Sequence, residues 1–262
     1  MSVCFLVTTM GSNPISIVDR MHLKNHSVIL ADQCGEVKYE ELSNGNGKIV
    51  HVCSNTKGVS INRNLGLHYT DDIVVFCDDD QILVDDCERL VLDEFEKVPQ
   101  AVAIKFFCKG LNDERPISFK RPDRLKKASL MTLMSAGVPG LAVKKSFLDK
   151  YDIRFSEQIG PGNYIYCGED SVFLKRMHDL SKGIYLSPIL ISYISQDKSS
   201  WFNGFDAQYY ITSGYIYAKM YGKFAYLICI RKAIRLHKKN QDYSLKEILS
   251  YMSEGIKLFK LQ

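Results

Sequence analysis

The chain has 262 residues, a formal net charge of +4 and 46% hydrophobic residues. This length and composition fit one large α/β domain, or a domain with an extension, that can bury a sizeable core. The weakly basic balance gives no argument for nucleic acid as a partner. The eight cysteines are far apart in the sequence, and none form a Cys-x-x-Cys pair. We therefore expect neither a zinc site nor a disulfide framework, and the reducing cytoplasm is the natural compartment.

The first hundred residues alternate between strand-like and helix-like segments. Strands are predicted over residues 3–8, 27–31, 49–53 and 73–77. The first segment indicates a strand rather than a signal peptide, because no basic segment precedes it, and no apolar stretch approaches the length of a membrane span. Asn13 followed by Pro14 predicts a helix start, residues 59–69 predict a second helix, and Asp85 with Glu88 predicts a capping box for a third that ends at Pro99. This alternation predicts a mostly parallel sheet with crossover helices.

Three adjacent carboxylates, Asp78, Asp79 and Asp80, follow the fourth predicted strand. A cation would relieve their mutual repulsion, and Asp oxygens are hard ligands that suit Mg²⁺ or Mn²⁺. Alternate residues of an extended segment share a face, so Asp78 and Asp80 form an Asp-x-Asp pair suited to a diphosphate ligand. The alternative is that these acids only end the strand in a turn. Asp32 also follows a strand, and one cleft at the carboxyl edge of the sheet is expected to collect all four acids.

The second half of the chain is less regular. Residues 101–107 predict a strand, and residues 135–140 are too rich in small residues for a helix. Glu169 and Asp170 are expected at a helix N-terminus, where the helix dipole favours carboxylates, although capping alone would also explain them. Residues 109–130 are polar and predict either a loop over the cleft or a solvated surface. The basic residues of this segment are Arg115, Lys120, Arg121, Arg124, Lys126 and Lys127.

Four motifs occur in a fixed order along roughly residues 3–195. They are the strand ending in Asp32, the segment Gly58-Val59-Ser60-Ile61-Asn62-Arg63-Asn64-Leu65-Gly66, the block Phe76-Cys77-Asp78-Asp79-Asp80, and Gly160-Pro161-Gly162 leading to Gly168-Glu169-Asp170. Together they resemble family 2 glycosyltransferases of the GT-A fold, the kind that builds bacterial surface polysaccharides. That family commonly shows Gly-x-Ser-x-x-Arg-Asn-x-Gly, then Asp-x-Asp, then Gly-x-Gly followed by Glu-Asp.

The resemblance implies a Rossmann-like, mixed and mostly parallel sheet flanked by helices. The expected catalytic domain covers residues 1–204, with a nucleotide-sugar half over about 1–100 and an acceptor half over about 101–204. A helical, basic C-terminal extension is expected over residues 205–262. The implied partners are a nucleotide-sugar donor, with a UDP-sugar favoured, and a glycan or lipid-linked acceptor.

The resemblance also implies roles for individual residues. Asp170 would be the general base that takes the acceptor's proton, with inversion at the anomeric carbon, and Glu169 would help to hold the acceptor. Asp80 would ligate Mn²⁺ or Mg²⁺. Donor contacts would come from Thr8 and Asp32 near the base, Arg63 at the diphosphate, Asp78 at the ribose, and Asp79.

Two departures from the family pattern concern the first strand and the metal. The first strand ends Thr8-Thr9-Met10 rather than Pro-Thr-Tyr-Asn. Many relatives place a histidine after the position of Pro188, whereas this chain continues to Asp197 without one. A third protein ligand for the metal is therefore unassigned.

The tail differs from the rest in composition. Residues 205–240 hold seven Lys or Arg, one acid and six tyrosines. The short apolar run over residues 224–230 is followed by Arg231, Lys232, Arg235, Lys238 and Lys239. This pattern is typical of a helix lying on an anionic membrane surface, which would place the enzyme at the inner face of the plasma membrane. The alternative is a helical pair packed on the catalytic domain with its basic side in water.

Two other functional classes compete with the glycosyltransferase. Asp78-x-Asp80 also occurs in phosphatases that use a nucleophilic aspartate, but Ile82 stands where a Thr or Val normally follows. A non-catalytic nucleotide-binding module is the other alternative. Neither class accounts for the block Gly168-Glu169-Asp170.

Overall fold

A computed structural model describes residues 1–11, 13–111, 119–195, 204–239 and 241–261. The strands in the described residues are β1 (Val3–Thr9), β2 (Ser27–Asp32), β3 (Lys38–Asn44), β4 (Gly47–Cys53), β5 (Ile73–Asp78), β6 (Gln81–Leu83), β7 (Ala103–Gly110), β8 (Lys126–Lys127), β9 (Leu141–Lys144) and β10 (Ile184–Ile194). The α-helices are α1 (Pro14–Arg20), α2 (Val59–Leu67), α3 (Cys87–Lys97), α4 (Leu130–Ala136), α5 (Lys145–Lys150), α6 (Glu169–Leu180), α7 (Ala207–Tyr221), α8 (Ala225–His237) and α9 (Leu245–Lys260).

The strands form one mixed sheet in the order β3-β4-β2-β1-β5-β9-β7-β10-β6, with β8 paired to β10. The neighbours β4, β2, β1 and β5 run parallel, and β10 runs parallel to β7. Strands β3, β6, β8 and β9 pair antiparallel. The expected α/β sheet is confirmed, and its parallel half brings the carboxyl ends of four strands to one edge.

Hydrophobic side chains cover both faces of this sheet. On β1, Cys4 and Leu6 face a layer that contains α2, α4, α5 and α6, whereas Phe5 and Val7 face a layer that contains α1 and α3. The strand is apolar at successive positions because both of its faces are buried. The rings of Phe155 and Phe173 stack at 3.9 Å. This stack packs Phe155, which precedes the segment that leads into α6, against α6 itself.

Helices α7, α8 and α9 form the C-terminal extension and pack around a cluster of their own. Gly214 and Gly255 allow α7 and α9 to touch, because a Cβ at either position would lie 2.0 Å from a carbonyl oxygen of the other helix. Tyr215 and Ile216 of α7 pack against Ile159 and Ile165. The tail is therefore helical and docked beside the start of α6, while the proposed division into domains stays a prediction.

One strand was missed and two local predictions were wrong. No element was predicted at β3, which pairs antiparallel with β4 through a turn at Gly45. Helix α3 has no capping box: its N-cap is Asp86, whose carboxylate instead accepts from Arg89 at 2.7 Å. Residues 135 and 136, which were predicted not to be helical, form the last residues of α4. The helix ends only at Gly137, whose φ of 64° is incompatible with a helix.

The basic segment over residues 109–130 contacts the sheet in the part that the structure describes. Phe119 is buried, Arg121 Nε donates to the Pro188 carbonyl at 2.7 Å, and β8 extends the sheet. Arg115 lies outside the described residues, as do Gln196 and Asp197. Among the helices that are described, none combines the length and apolar character needed to cross a bilayer.

Candidate active site

The carboxyl ends of the parallel strands bring the predicted donor residues together. In the sheet register Thr8 lies beside Asp78, and Thr9 lies beside Asp32. Thr8 Oγ1 is 3.5 Å from an Asp78 carboxylate oxygen. The shared edge predicted from the strand pattern is therefore present, and it lies where ligands of such sheets bind.

Arg63 links the two halves of this edge. It lies on α2, and its side chain is only 5% exposed. Its Nη1 donates to Asp170 at 2.7 Å, and its Nη2 donates to Asp78 at 2.9 Å. Burial disfavours the charged guanidinium, but the carboxylates of Asp170, Asp78 and Glu169 outweigh burial and raise the pKa of Arg63. Arg63 is thus a fixed cation between β5 and α6.

Most of the motif around Arg63 positions this side chain rather than lining the site. Ser60 Oγ donates to the Ile159 carbonyl at 2.9 Å. The Asn64 side chain bonds to both the carbonyl and the N–H of Phe155, at 2.9 and 2.8 Å. At Gly66 a Cβ would lie 2.2 Å from Leu6, so glycine allows α2 to lie against β1. The motif therefore attaches α2 to the sheet on one side and to residues 155–159 on the other.

Asp170 begins α6 with both carboxylate oxygens engaged. Its Oδ1 accepts from Arg63, and its Oδ2 accepts from the Val138 N–H at 2.9 Å. The carbonyl of the next residue, Pro139, accepts from the buried Lys105 ammonium group. Desolvation by burial lowers the pKa of Lys105. A carboxylate held at both oxygens is pre-oriented, as a general base requires.

Glu169 lies beside Asp170 in the first turn of α6. A Cβ at Gly160 would lie 3.3 Å from the Glu169 carboxyl group, so the glycine makes room for this side chain. Desolvation by burial, with the adjacent Asp170 carboxylate, raises the pKa of Glu169 to about 7. The two acids of α6 therefore differ in environment, since Asp170 is paired with Arg63, whereas within the described part of the chain Glu169 has no hydrogen bond to a cation.

The three acids at the end of β5 differ in their surroundings. Asp79 accepts from Thr9 Oγ1 at 2.7 Å, and its carbonyl accepts from Arg20 at 2.9 Å. Desolvation and the charges of Asp78 and Asp79 raise the pKa of Asp80 to about 7. These acids do not bring three ligand atoms within 4.8 Å of one another in the described residues. This donor set fits Mg²⁺, which typically takes one or two protein carboxylates and completes its shell with water and substrate phosphate.

Asp32 is buried at the end of β2. Its Oδ1 accepts from the Gly11 N–H at 2.6 Å, and its Oδ2 lies 3.1 Å from His51 Nε2. A carboxylate oxygen can accept more than one hydrogen bond, so Asp32 keeps acceptor capacity toward a ligand.

Several residues of this edge were missed from the sequence. His51 interrupts an apolar strand, and such a polar residue in a buried strand signals a specific partner. Thr9 and Arg20 give no comparable signal, because their contacts with Asp79 depend on how the chain turns after β1 and β5. Val138 contacts Asp170 through its backbone N–H, so the residue type at this position gives no sign of the contact.

No protein-family model matches this chain, and no curated protein does either. Solved structures of S. aureus TarS do match. Residues 1–349 of TarS in complex with UDP align with a TM-score of 0.68 at 14% identity, over 98% of this chain and 81% of that one. The complex with UDP-GlcNAc aligns with a TM-score of 0.60 at 15% identity, over 99% and 72%. The chain has a GT-A-like fold. At these identities the likeness establishes the fold alone.

Proposed function

We propose that this protein is a glycosyltransferase that transfers a sugar from a nucleotide-diphosphate sugar to a hydroxyl group of an acceptor. Two observations support the proposal. TarS, a glycosyltransferase whose structures hold UDP and UDP-GlcNAc, has the same fold. The observation that carries the proposal is the bridge from Arg63 to Asp78 and Asp170, because it joins a donor-side acid to a candidate base at the ligand-binding edge.

The proposed reaction is a single displacement with Asp170 as the general base. The acceptor oxygen attacks the anomeric carbon, the bond from that carbon to the diphosphate oxygen breaks, and the acceptor's proton passes to the Asp170 carboxylate. The nucleoside diphosphate leaves with the bonding electrons. A single attack inverts the anomeric carbon. Arg63 and the Val138 N–H hold Asp170 in place, and Glu169 helps to hold the acceptor.

The donor would lie along the ends of β1, β2 and β5. Asp32 would contact the base with Thr8 nearby, Asp78 would approach the ribose, and Asp79 would support this edge through its bond to Thr9. Arg63 would face the diphosphate, where a guanidinium suits phosphate oxygens. We favour a UDP-sugar as the donor and a hexosyltransferase-like activity.

Asp80 would hold Mn²⁺ or Mg²⁺ together with donor phosphates. When bound, the cation would offset the negative charge that develops on the departing diphosphate. The acid cluster supports this role because burial, together with the charges of Asp78 and Asp79, raises the pKa of Asp80, and a bound cation would favour the ionised carboxylate.

The acceptor would be a glycan or a lipid-linked glycan of polysaccharide biosynthesis. A lipid-linked acceptor would bring the enzyme to the inner face of the plasma membrane. The basic residues of α8 support this placement, because most of them are exposed.

The testing experiment is a panel of nucleotide-sugars, beginning with UDP-GlcNAc, screened for thermal stabilisation and for release of the nucleoside diphosphate with Mn²⁺ present. We expect at least one donor to stabilise the protein and to be hydrolysed or transferred. Stabilisation without turnover of any donor would instead support a nucleotide-binding module. Hydrolysis of small phosphomonoesters without a nucleotide-sugar would support the aspartate phosphatase.

A further inference from the structure

A second cluster of ligating side chains lies at the ends of β2 and β4. Asp32 and Cys53 are register partners on these strands, and Cys34 follows two residues after Asp32. One carboxylate oxygen of Asp32 and the two thiol sulfurs all lie within 4.8 Å of one another. Asp32 and Cys53 are buried, and Cys34 is half-buried. The sequence spacing gave no zinc motif because the ligating residues come from two neighbouring strands.

His51 lies beside two of these residues, Asp32 and Cys53, although its ring nitrogens are not among the ligand atoms that all lie within 4.8 Å of one another. Its Nε2 lies 3.1 Å from Asp32 Oδ2 and 3.3 Å from Cys53 Sγ. Its Nδ1 lies 2.8 Å from a Glu40 carboxylate oxygen. With a metal bound in place of the contact between Nε2 and Asp32, the Glu40 carboxylate would hold the proton on Nδ1 and leave the Nε2 lone pair for the metal, which is the usual arrangement behind a metal-ligating histidine.

We propose that Asp32, Cys34, His51 and Cys53 form a binding site for Zn²⁺. Zinc takes thiolate, imidazole and carboxylate ligands in tetrahedral geometry, and the ligand atoms of such a site lie roughly 3.3–3.8 Å apart. Of the two distances from His51, 3.1 Å lies just below this range and 3.3 Å lies at its short end. The ligand atoms of Asp32, Cys34 and Cys53 lie within 4.8 Å of one another, so small side-chain rotations would bring them into the range. The cation would displace the thiol protons, as metals bound by cysteine generally do.

The ligand chemistry distinguishes this site from the acids after β5. Two sulfurs and an imidazole favour zinc over magnesium or manganese, whereas Asp78, Asp79 and Asp80 offer only hard oxygen ligands. The two sites are therefore selective for different cations. Asp32 is also the proposed contact for the nucleotide base, so bound Zn²⁺ and bound nucleotide would compete. This competition, unlike the zinc site itself, rests on the proposed function.

The zinc site is tested on the full chain, treated with chelator and kept reduced with a phosphine. Zn²⁺ affinity is measured by competition with a chromophoric chelator, and Co²⁺ is added in a parallel sample. We expect one Zn²⁺ per chain and a thiolate-to-cobalt absorption band. Cys34→Ser and Cys53→Ser should each abolish the band and weaken Zn²⁺ binding at least 100-fold. Glu40→Gln, which touches no metal, should weaken Zn²⁺ binding about 10–100-fold.

The matched controls are Cys167→Ser for the half-buried Cys34 and Cys229→Ser for the buried Cys53. Both controls should bind Zn²⁺ like the wild type. If Cys34→Ser and Cys53→Ser also bind it like the wild type, or if Co²⁺ gives no thiolate band, the cluster is only a hydrogen-bonded network and the proposal is overturned. If Cys53→Ser fails to fold, Cys34→Ser alone decides the test, because the half-exposed Cys34 can be replaced with less effect on folding.

Competition is measured by repeating the Zn²⁺ titration with UDP present. A fall in apparent Zn²⁺ affinity as UDP rises would support the shared use of Asp32. Unchanged affinity at saturating UDP would overturn that shared use and would leave the zinc site standing. UDP that does not bind at all would count against the proposed function alone.

Discussion

Arg63 shows how a buried charge can organise a site. A guanidinium that is 5% exposed is costly unless its partners are well placed, and here each of its two terminal nitrogens meets a carboxylate within 3 Å. Removing one partner of such a pair is strongly destabilising, because the remaining charge stays buried and uncompensated. The bridge therefore fixes Asp78 relative to Asp170 before any ligand arrives, which is the preorganisation that electrostatic catalysis needs.

Asp80 gives a prediction about the proposed cation. Asp80→Ala should nearly abolish transfer and remove any Mn²⁺- or Mg²⁺-dependent nucleotide binding, because the diphosphate would lose its counter-charge. Asp85→Ala is the control, since that side chain is fully exposed in the turn after β6. The measurement is nucleotide affinity by calorimetry with and without Mn²⁺. Full activity in chelator, or an Asp80→Ala variant that keeps its metal dependence, would contradict the role of Asp80.

Glu169 gives a prediction about pH and stability. Its ordinary pKa of 4.5 is raised to about 7, chiefly by burial. The protonated form is therefore favoured in the folded state, so its stabilising contribution is complete below pH 4.5 and is lost as the pH rises through about 7. Glu169→Gln should match the wild type in melting temperature at pH 4.5 and exceed it at pH 8.

The control for that measurement is Glu96→Gln, because Glu96 is an exposed carboxylate on α3. Its melting temperature should follow the wild type at both pH values. A Glu169→Gln variant that is no more stable than the wild type at pH 8 would show that Glu169 is ionised in the fold at little cost.

At the scale of elements, α2 is held in place by the glycine that faces β1. A Cβ at Gly66 would lie 2.2 Å from the buried Leu6 side chain. Gly66→Ala should destabilise the protein by about 1–3 kcal/mol through overpacking, despite the better helix propensity of alanine. Urea unfolding measures this effect. Gly110→Ala is the control, because no described atom beyond its chain neighbours lies within 4 Å of a Cβ there. Equal stability of Gly66→Ala and the wild type would mean that α2 can move away from β1 at no cost.

Helix α8 combines two features of a membrane-surface helix. Leu227, Ile230 and Ile234 are 66, 46 and 43% exposed, on a helix that also carries Arg231 and Arg235. Ala225, Cys229, Ala233 and Leu236 form its buried side. The buried side of α8 packs against α7 and α9, and the residues that the structure describes leave its apolar and basic face uncovered.

Vesicle sedimentation tests that face. Binding should rise with anionic lipid content and fall with salt. Replacing Arg231, Lys232 and Arg235 by Gln should weaken binding about 100-fold, since each basic residue is worth roughly 1 kcal/mol. The charge-matched control replaces the exposed Lys126, Lys127 and Lys150 by Gln. A protein that ignores anionic vesicles at low salt would show that this face does not bind membranes.

For the whole molecule, the alternation of strands and helices predicted the parallel half of the sheet well. Short apolar runs such as residues 73–77 predict buried strands, so the ends of these strands, and the acids at those ends, could be assigned to one edge of the sheet. The hairpin of β3 was missed because its side chains are mostly exposed and polar, which leaves little hydrophobic pattern. The cluster of His51 with Asp32, and the bond from Val138 to Asp170, depend on strand register and loop path. The spacing of residues along the sequence therefore predicts neither of these two contacts.

The most direct test of the proposed transfer compares turnover of the wild type with that of Asp170→Asn, using the best donor from the panel. Asparagine keeps the size of the side chain but cannot accept the acceptor's proton, and loss of a general base typically costs about 10²–10⁴-fold in rate. We predict a loss of that size with donor affinity near that of the wild type. The melting temperature should fall, because the buried Arg63 loses one of its two carboxylate partners. Asp179→Asn, on the exposed end of the same helix, should be fully active. An Asp170→Asn variant that is less stable yet turns over normally would contradict the central claim and would make Asp170 a helix cap.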